Sequence, residues 1–323
     1  MKKLCRLAIM FLTAFAVCGC VGMAASAEEY YTIGMAYFEL GKYEEAENWL
    51  NRAKAADKTL VASQYNLGRL AYERQRYNEA AAIFEDILTR DPDNVLALKA
   101  AAYTRIKTGD IDIAEKYYTR VLELVPESAD DGYNHALVLY AMGRYGDAEK
   151  TLEKYLLSLL ENKDMQLLYA RSQSAQNKVE AIDSYANWLN NNTDAKVRYE
   201  YAQILEHNEL YSRALDEYRK ALSEVSKQDA ALKNEIHFAL AKALLTADSE
   251  SGEGIRELQN AVGEGFSDIE AIEELLDNNN ISAANMESLR NIINNMRRSD
   301  ETRNEEQKTP DEEPQTNTEG SSG

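Results

Sequence analysis

A period of 34 residues runs through most of this chain, and it restricts the fold to one helical unit stacked many times. Gly34, Gly68, Ala102, Ala136 and Ala170 follow one another at that step, as do Ala46, Ala80, Ala114 and Ala148. Four residues after each of the second set stands a large apolar side chain, Leu50, Phe84, Tyr118 or Leu152. Small and large residues therefore recur in register, which suits two helices that approach closely at one position and fill volume at the other.

Within a unit, apolar residues recur at spacings of three and four, as in Tyr65, Leu67, Gly68 and Ala71 and then Ala80, Ile83, Phe84 and Ile87. That is the stripe of an amphipathic helix. Between the two stripes lies a polar break: Leu40-Gly41-Lys42-Tyr43, Arg74-Gln75-Arg76-Tyr77, Thr108-Gly109-Asp110-Ile111 and Met142-Gly143-Arg144-Tyr145. Glycine there suits the left-handed residue that ends a helix. The second helix stops at Asp91-Pro92-Asp93-Asn94 or Val125-Pro126-Glu127-Ser128, where proline cannot continue it and Asn94 or Ser128 can cap the next. The pattern predicts an all-α solenoid of tandem helix hairpins, each burying its apolar face against the next.

The residues Tyr65-Asn66-Leu67-Gly68, Tyr72, Tyr77-Asn78-Glu79-Ala80, Phe84 and Asp91-Pro92 resemble the tetratricopeptide repeat signature residue by residue. Units are placed at about 27–60, 61–94, 95–128 and 129–162. A looser unit at about 163–194, with Ala170, Ala181, Tyr185 and Trp188, is read as one residue short, with its break at Asn177-Lys178-Val179. Another spans about 195–228, with Tyr201, Ala202, Tyr211, Ala214, Tyr218 and Ala221. Residues 230–263 read as a degenerate seventh hairpin or a non-repeat helix pair, so residues 28–263 hold six to seven hairpins.

After residue 263 the pattern changes. Ser267-Asp268-Ile269-Glu270 reads as a capping box, and a last helix is expected from Ser282 to Arg298. Residues 264–298 are assigned as C-terminal capping helices, since stacked repeats end in an element with one polar face. Residues 299–323 lack large apolar side chains and are expected to be a disordered acidic tail.

Residues 1–27 read as an export signal of bacterial type: Met1-Lys2-Lys3 and Arg6, an apolar run from Leu7 to Val17, then small residues. Two cleavage sites compete. Ala25-Ser26-Ala27 suits ordinary signal peptidase and leaves Glu28 first, whereas Val17-Cys18-Gly19-Cys20 resembles a lipobox with Cys20 as the lipidated residue. An uncleaved anchor is a third reading, although the run is shorter than the ~20 apolar residues of a spanning helix. All three place the protein outside the cytoplasm, periplasmic or tethered to the envelope.

Cys5, Cys18 and Cys20 are the only cysteines, so the repeat array holds neither a disulfide nor a thiol nucleophile. The formal net charge of -19 becomes -22 without residues 1–27, which carry Lys2, Lys3 and Arg6 and no acid. Such a surface repels nucleic acid, and it contacts a membrane only through a lipid anchor. Its acidity reads either as attraction for a basic partner or for divalent cations, or as a solvated surface. No EF-hand spacing, P-loop, dinucleotide fingerprint, Gly-x-Ser-x-Gly or His-Glu-x-x-His occurs. His135 falls on a buried stripe and is read as a hydrogen-bonded core residue, and His207 lies near a helix end. No catalytic residue, metal site or cofactor is therefore expected.

In tetratricopeptide repeat proteins the first helix of each hairpin lines the concave side. The resemblance thus implies a partner-binding groove of Tyr31, Phe38, Tyr65, Arg69, Tyr72, Lys99, Tyr103, Tyr133, Tyr140, Tyr199 and Gln203. Tyr65 and Tyr72 are seven apart and share a helix face, as do Tyr133 and Tyr140, and Tyr31 and Phe38. Tyrosine combines a large contact area with a hydrogen-bonding tip, which suits an extended peptide, but it is also the default residue of such repeats. Some relatives clamp a C-terminal carboxylate. Here Asn66 and Asn134 occupy one clamp place, but Tyr31 and Asp164 stand where basic residues are needed. The resulting expectation is an exported, non-catalytic scaffold binding a protein or peptide; a module of an envelope transporter, or an assembly factor for outer-membrane proteins or pili, are the alternatives.

Overall fold

The computed structural model describes residues 26–306 apart from 227, 249, 279 and 280. The expected export signal up to residue 25, Cys20 included, and tail residues 307–323 lie outside the described residues. The described residues form seventeen α-helices and one 3-10 turn. The chain divides into two compact units at residue 159.

The first unit contains four hairpins in the expected register. Their helices are α1 Ala27–Glu39 and α2 Tyr43–Ala56, α3 Val61–Glu73 and α4 Tyr77–Arg90, α5 Val95–Thr108 and α6 Ile111–Leu124, α7 Ala129–Ala141 and α8 Tyr145–Glu153. Asn94 and Ser128 cap α5 and α7 by accepting from the backbone N–H of Ala97 and Asp131. Gly41, Gly109 and Gly143 take the left-handed conformation at the breaks, with φ of 68°, 85° and 73°. Gln75 takes it at the second break despite its Cβ. The small-large pairing is a steric fit: a Cβ on Gly34 would lie 2.9 Å from Leu50 Cγ, and one on Gly68 would lie 2.6 Å from Phe84 Cε1. Ion pairs tie successive hairpins as well, for example Arg105 of α5 to Glu85 of α4, at 2.6 Å.

The fourth hairpin departs from expectation. Its second helix stops at Glu153, turns at Lys154 and Tyr155, and resumes as α9, Leu156–Glu161. Tyr155 stands one and two periods after Val121 and Ile87, which are both buried. Its ring lies against Gly132, where a Cβ would meet Tyr155 Cε2 at 2.1 Å. The hydroxyl donates to the Pro126 carbonyl at 2.9 Å, which secures the bend.

The second unit continues with α10 Lys163–Ser174 and α11 Ala181–Asn191, then α12 Ala195–His207 and α13 Tyr211–Glu224, then α14 Ala230–Ala247 and α15 Gly252–Gly263. Left-handed residues recur at Asn177 and Glu209, with φ of 55° and 61°. From Gly143 to Asn177 the step is the usual 34, but the next is 32, so the fifth hairpin is two residues short rather than one. The loss falls on α11, 11 residues long against 14 in α4 and α6. Tyr185, Trp188, Tyr201 and Tyr218 build the core of this unit, and Trp188 Nε1 donates to the Lys163 carbonyl at 2.8 Å.

Residues 230–263 form a packed helix pair with Ile236, Leu240, Ala241, Leu244, Ile255, Leu258 and Ala261 buried. The terminal segment is α16 Ile269–Glu273, a 3-10 turn Glu274–Asp277, and α17 Ala283–Glu306. Leu289, Ile292, Ile293 and Met296 of α17 pack with Ile272 and Leu275 against α14 and α15. Two expectations change here. Asp268, not Ser267, caps α16, accepting from Ala271 N at 3.0 Å. The last helix also runs beyond Arg298 to Glu306, so residues 299–306 are helical. No glycine or proline interrupts that stretch, and extending an existing helix needs no apolar face.

Candidate functional site

Two of the expected groove residues meet first through Arg69. Its guanidinium carbon lies 4.9 Å from the centre of the Phe38 ring, and Nη1 donates to Asn66 Oδ1 at 3.0 Å. Asn66 is itself buried, and its Nδ2 donates to Tyr31 Oη at 3.1 Å and to the Ala62 carbonyl at 2.9 Å. Tyr31, Phe38, Asn66 and Arg69 thus form one constellation joining α1 to α3. A cation over an aromatic face is held by the ring quadrupole, so the guanidinium is oriented before any partner arrives.

The next contact in the row joins α3 to α5. The Tyr72 ring lies 5.4 Å from Tyr103 and 5.2 Å, edge-on, from Tyr77. Burial, followed by the Tyr103 hydroxyl, raises the pKa of Tyr72 above the usual phenol range. Tyr103 is 50% exposed, with the Lys107 ammonium 5.9 Å from its ring centre. Lys99 of α5 reaches α7, pairing with the buried Asp131 at 2.8 Å. Asp131 also accepts from the Ser128 hydroxyl at 2.6 Å.

Other expected groove residues are placed differently. Tyr65 is half-buried against Phe84 of α4, with ring centres 5.5 Å apart, and so belongs to the hairpin core more than to an open face. Tyr140 packs edge-on against Tyr145 at 5.0 Å, and Tyr133 is half-buried. In the second unit Gln203 is exposed. Tyr199 instead turns into the core beside Tyr218, 5.9 Å between centres, and burial together with Glu235 and Glu206 pushes its pKa up to about 12. The expected residues are therefore brought together in two groups, Tyr31, Phe38 and Arg69 around Asn66 and Tyr72 with Tyr103, both in the first unit and both carried by α3. Asn66, Tyr77 and Lys107 join them. Asn66 and Tyr77 are part of the repeat signature, and only the contact with Arg69 or Tyr72 distinguishes them.

The histidines divide. His135 is nearly buried, with Nε2 3.3 Å from Thr119 Oγ1 and 3.6 Å from Glu115. Its Nδ1 has no hydrogen-bond partner among the described residues, so the expected core histidine is only half satisfied. Burial lowers its pKa, against the pull of Glu115. His207 ends α12 and is exposed, and His237 Nδ1 lies 2.6 Å from Glu257. Among the described residues no group of three His, Cys, Asp or Glu side chains is arranged to hold a metal ion, and no helix is long and apolar enough to cross a membrane.

Tetratricopeptide repeat models match residues 27–60, 71–134 and 133–196. An uncharacterized lipoprotein of Treponema pallidum is 25% identical over 159 residues, 49% of this chain and 81% of that protein. The human protein O-mannosyl-transferase TMTC3 is 28% identical over 128 residues, 39% of this chain but only 14% of its own length. Among solved structures, a tetratricopeptide repeat protein from Parabacteroides merdae superposes with a TM-score of 0.54 at 18% identity, covering 76% of this chain and 96% of that one. That likeness concerns the fold.

Proposed function

Since the chain belongs to the tetratricopeptide repeat family, we propose that it is a non-catalytic scaffold that holds a protein or peptide against the first-helix face of its N-terminal unit, outside the cytoplasm in a bacterial envelope. The observation that carries this reading is the row running from Phe38 and Arg69 to Tyr72 and Tyr103. It links three successive first helices and ends on a half-exposed tyrosine. Anchors of this kind, aromatic or guanidinium and oriented in advance, supply most of the affinity of protein interfaces.

Export rests on the composition of residues 1–27, and lipidation at Cys20 gains support from the similar lipoprotein. The start of α1 adds a physical argument. Ser26 Oγ accepts from Glu29 N at 3.1 Å, while Glu29 Oε2 accepts from Ser26 N at 2.7 Å, a complete capping box. Cleavage after Ala27 would remove it, and cleavage before Cys20 would keep it. The test is crosslinking in the intact envelope followed by mass spectrometry of the attached peptide. Crosslinks from the Tyr72 and Tyr103 region support the reading, and crosslinks confined to the second helices of the hairpins overturn it.

A further inference from the structure

Charge is segregated by helix in the first unit. Helices α3 and α5 carry Arg69, Lys99, Arg105 and Lys107 against one acid, Glu73, in a chain whose formal net charge is -19. The flanking first helices are the reverse: α1 carries Glu28, Glu29 and Glu39 and α7 carries Asp130 and Asp131, with neither lysine nor arginine in either. Within the first unit α5 is therefore the net basic first helix, and α3, where Arg69 and Glu73 cancel, adjoins it as a neutral one.

The four cations differ in what already neutralises them. Arg105 pairs with Glu85 and Asp110, and Lys99 with Asp131. Arg69 and Lys107 have no carboxylate within 4.0 Å among the described residues. Arg69 spends one Nη1 hydrogen bond on a neutral amide and holds its guanidinium carbon over Phe38, which leaves Nη2 without an acceptor among the described residues. Arg74, Arg76, Arg90, Arg120 and Arg144 of the same unit each pair with an Asp or Glu, whereas Arg52, on a second helix, lies over the Trp49 ring as Arg69 lies over Phe38. A guanidinium fixed in place and left without an acid is a fork suited to a carboxylate from outside.

We infer that the Phe38–Arg69–Tyr72–Tyr103–Lys107 face takes an acidic, aromatic-containing internal segment of a partner protein, a side-chain carboxylate on Arg69 and apolar rings against Tyr72 and Tyr103. The inference rests on the scaffold reading above and adds the partner's chemistry to it. A terminal carboxylate is a poorer fit, because it asks for several converging donors and Asn66 already spends its Nδ2 on the Tyr31 hydroxyl and the Ala62 carbonyl. The overall negative charge does not oppose this at working ionic strength. Screening over about 8 Å mutes the distant acids, which leaves Glu73 beside Tyr72 as the α3 acid set against Arg69 and Lys107. Two helix hairpins at roughly 10 Å spacing span about six extended residues, which sets the length of the bound segment.

The experiment measures binding of dye-labelled eight-residue peptides to the full chain at 0.15 M salt. The probes alternate Glu with Phe, Gln with Phe, or Lys with Phe, each with an amidated C-terminus, and the Glu peptide is repeated with a free one. The Glu peptide is expected to bind at least about tenfold more tightly than the Gln peptide, equally well with either terminus. Arg69→Gln and, separately, Lys107→Gln should each erode that preference, with folding checked by circular dichroism. Lys107→Gln is the safeguard, because its side chain is exposed and meets only the half-exposed Tyr103 ring. Equal or tighter binding of the Gln or Lys peptide, a preference for the free terminus, or an unchanged preference in both variants overturns the inference. If neutral peptides bind and Tyr103→Ala weakens them, the scaffold reading survives and only the acidic partner is lost. Failure of every peptide to bind removes both.

Discussion

Phe84 leaves no room for a side chain on Gly68: a methyl group there would sit 2.6 Å from its ring carbon Cε1 and 2.8 Å from Cζ. The same two places hold Ala102 and Tyr118 in the next hairpin, so glycine at residue 68 reflects how closely this pair of helices approaches. Gly68→Ala should destabilise the chain by about 1 to 3 kcal/mol, since packed neighbours must shift. Gly263→Ala, at a helical glycine with nothing within 4 Å of a new Cβ, should be neutral or stabilising by up to about 1 kcal/mol. Thermal denaturation of both variants checks the contrast, and equal losses would remove the steric account.

The left-handed turn residues offer a second test. Gly109→Ala places a Cβ at φ 85° and should cost about 1 to 2 kcal/mol although no atom lies near it. Glu209→Gly relieves a side chain at φ 61° and should raise stability by about 1 kcal/mol. Urea unfolding curves decide it, and a destabilised Glu209→Gly would show that the glutamate makes contacts worth more than its backbone conformation costs.

His135 makes stability depend on pH. Burial holds its folded pKa below the ordinary value, so the folded state favours the neutral ring. The sign follows: its contribution is fully present above about pH 6.5 and is lost as pH falls through the lower folded pKa, each tenfold change in proton affinity being worth about 1.4 kcal/mol. Melting temperatures between pH 7.5 and 4.5 should therefore fall more steeply for the native protein than for His135→Gln. Parallel profiles would exclude this histidine as the cause.

Tyr103 should matter more to a partner than to the fold. Truncating Tyr103 to alanine should cost about 1 to 2 kcal/mol of partner affinity and little stability, because half its surface is exposed. Tyr65→Ala should do the reverse, losing the contact with Phe84. Paired binding and denaturation measurements separate the two, and loss of affinity in Tyr65→Ala alone would move the binding face.

Processing has its own readout. Intact-mass analysis of the mature protein should show an acylated N-terminus at Cys20, with Ser26 retained to cap α1. A chain beginning at Glu28 would show that α1 starts without its cap.

Most of the fold was legible because the 34-residue step repeats the same steric problem, and any one hairpin's solution identifies the others. What the pattern missed has physical causes. The helix of residues 299–306 leaves no apolar trace, because propagation does not require burial. Ser267 and Asp268 are both good caps, and only the backbone geometry selects Asp268. In the candidate site, helical periodicity put Tyr65 and Tyr72 on one face, but that Tyr72 also meets Tyr103 of the next hairpin, while Tyr65 meets Phe84 of its own, depends on neighbours farther away in sequence. The pairing of Lys99 with Asp131 across 32 residues was likewise invisible.

The fifth hairpin is two residues short, yet Glu209 and Tyr211 resume the pattern immediately after it. A deletion of that size inside a strand would displace everything downstream along its ladder, whereas here each hairpin answers only to the ones beside it. The architecture is thus tolerant of copying errors: hairpins can be gained, trimmed or lost during descent without rewriting the rest. Divergence in length among related chains should accordingly concentrate at whole repeats and at the short connections between them.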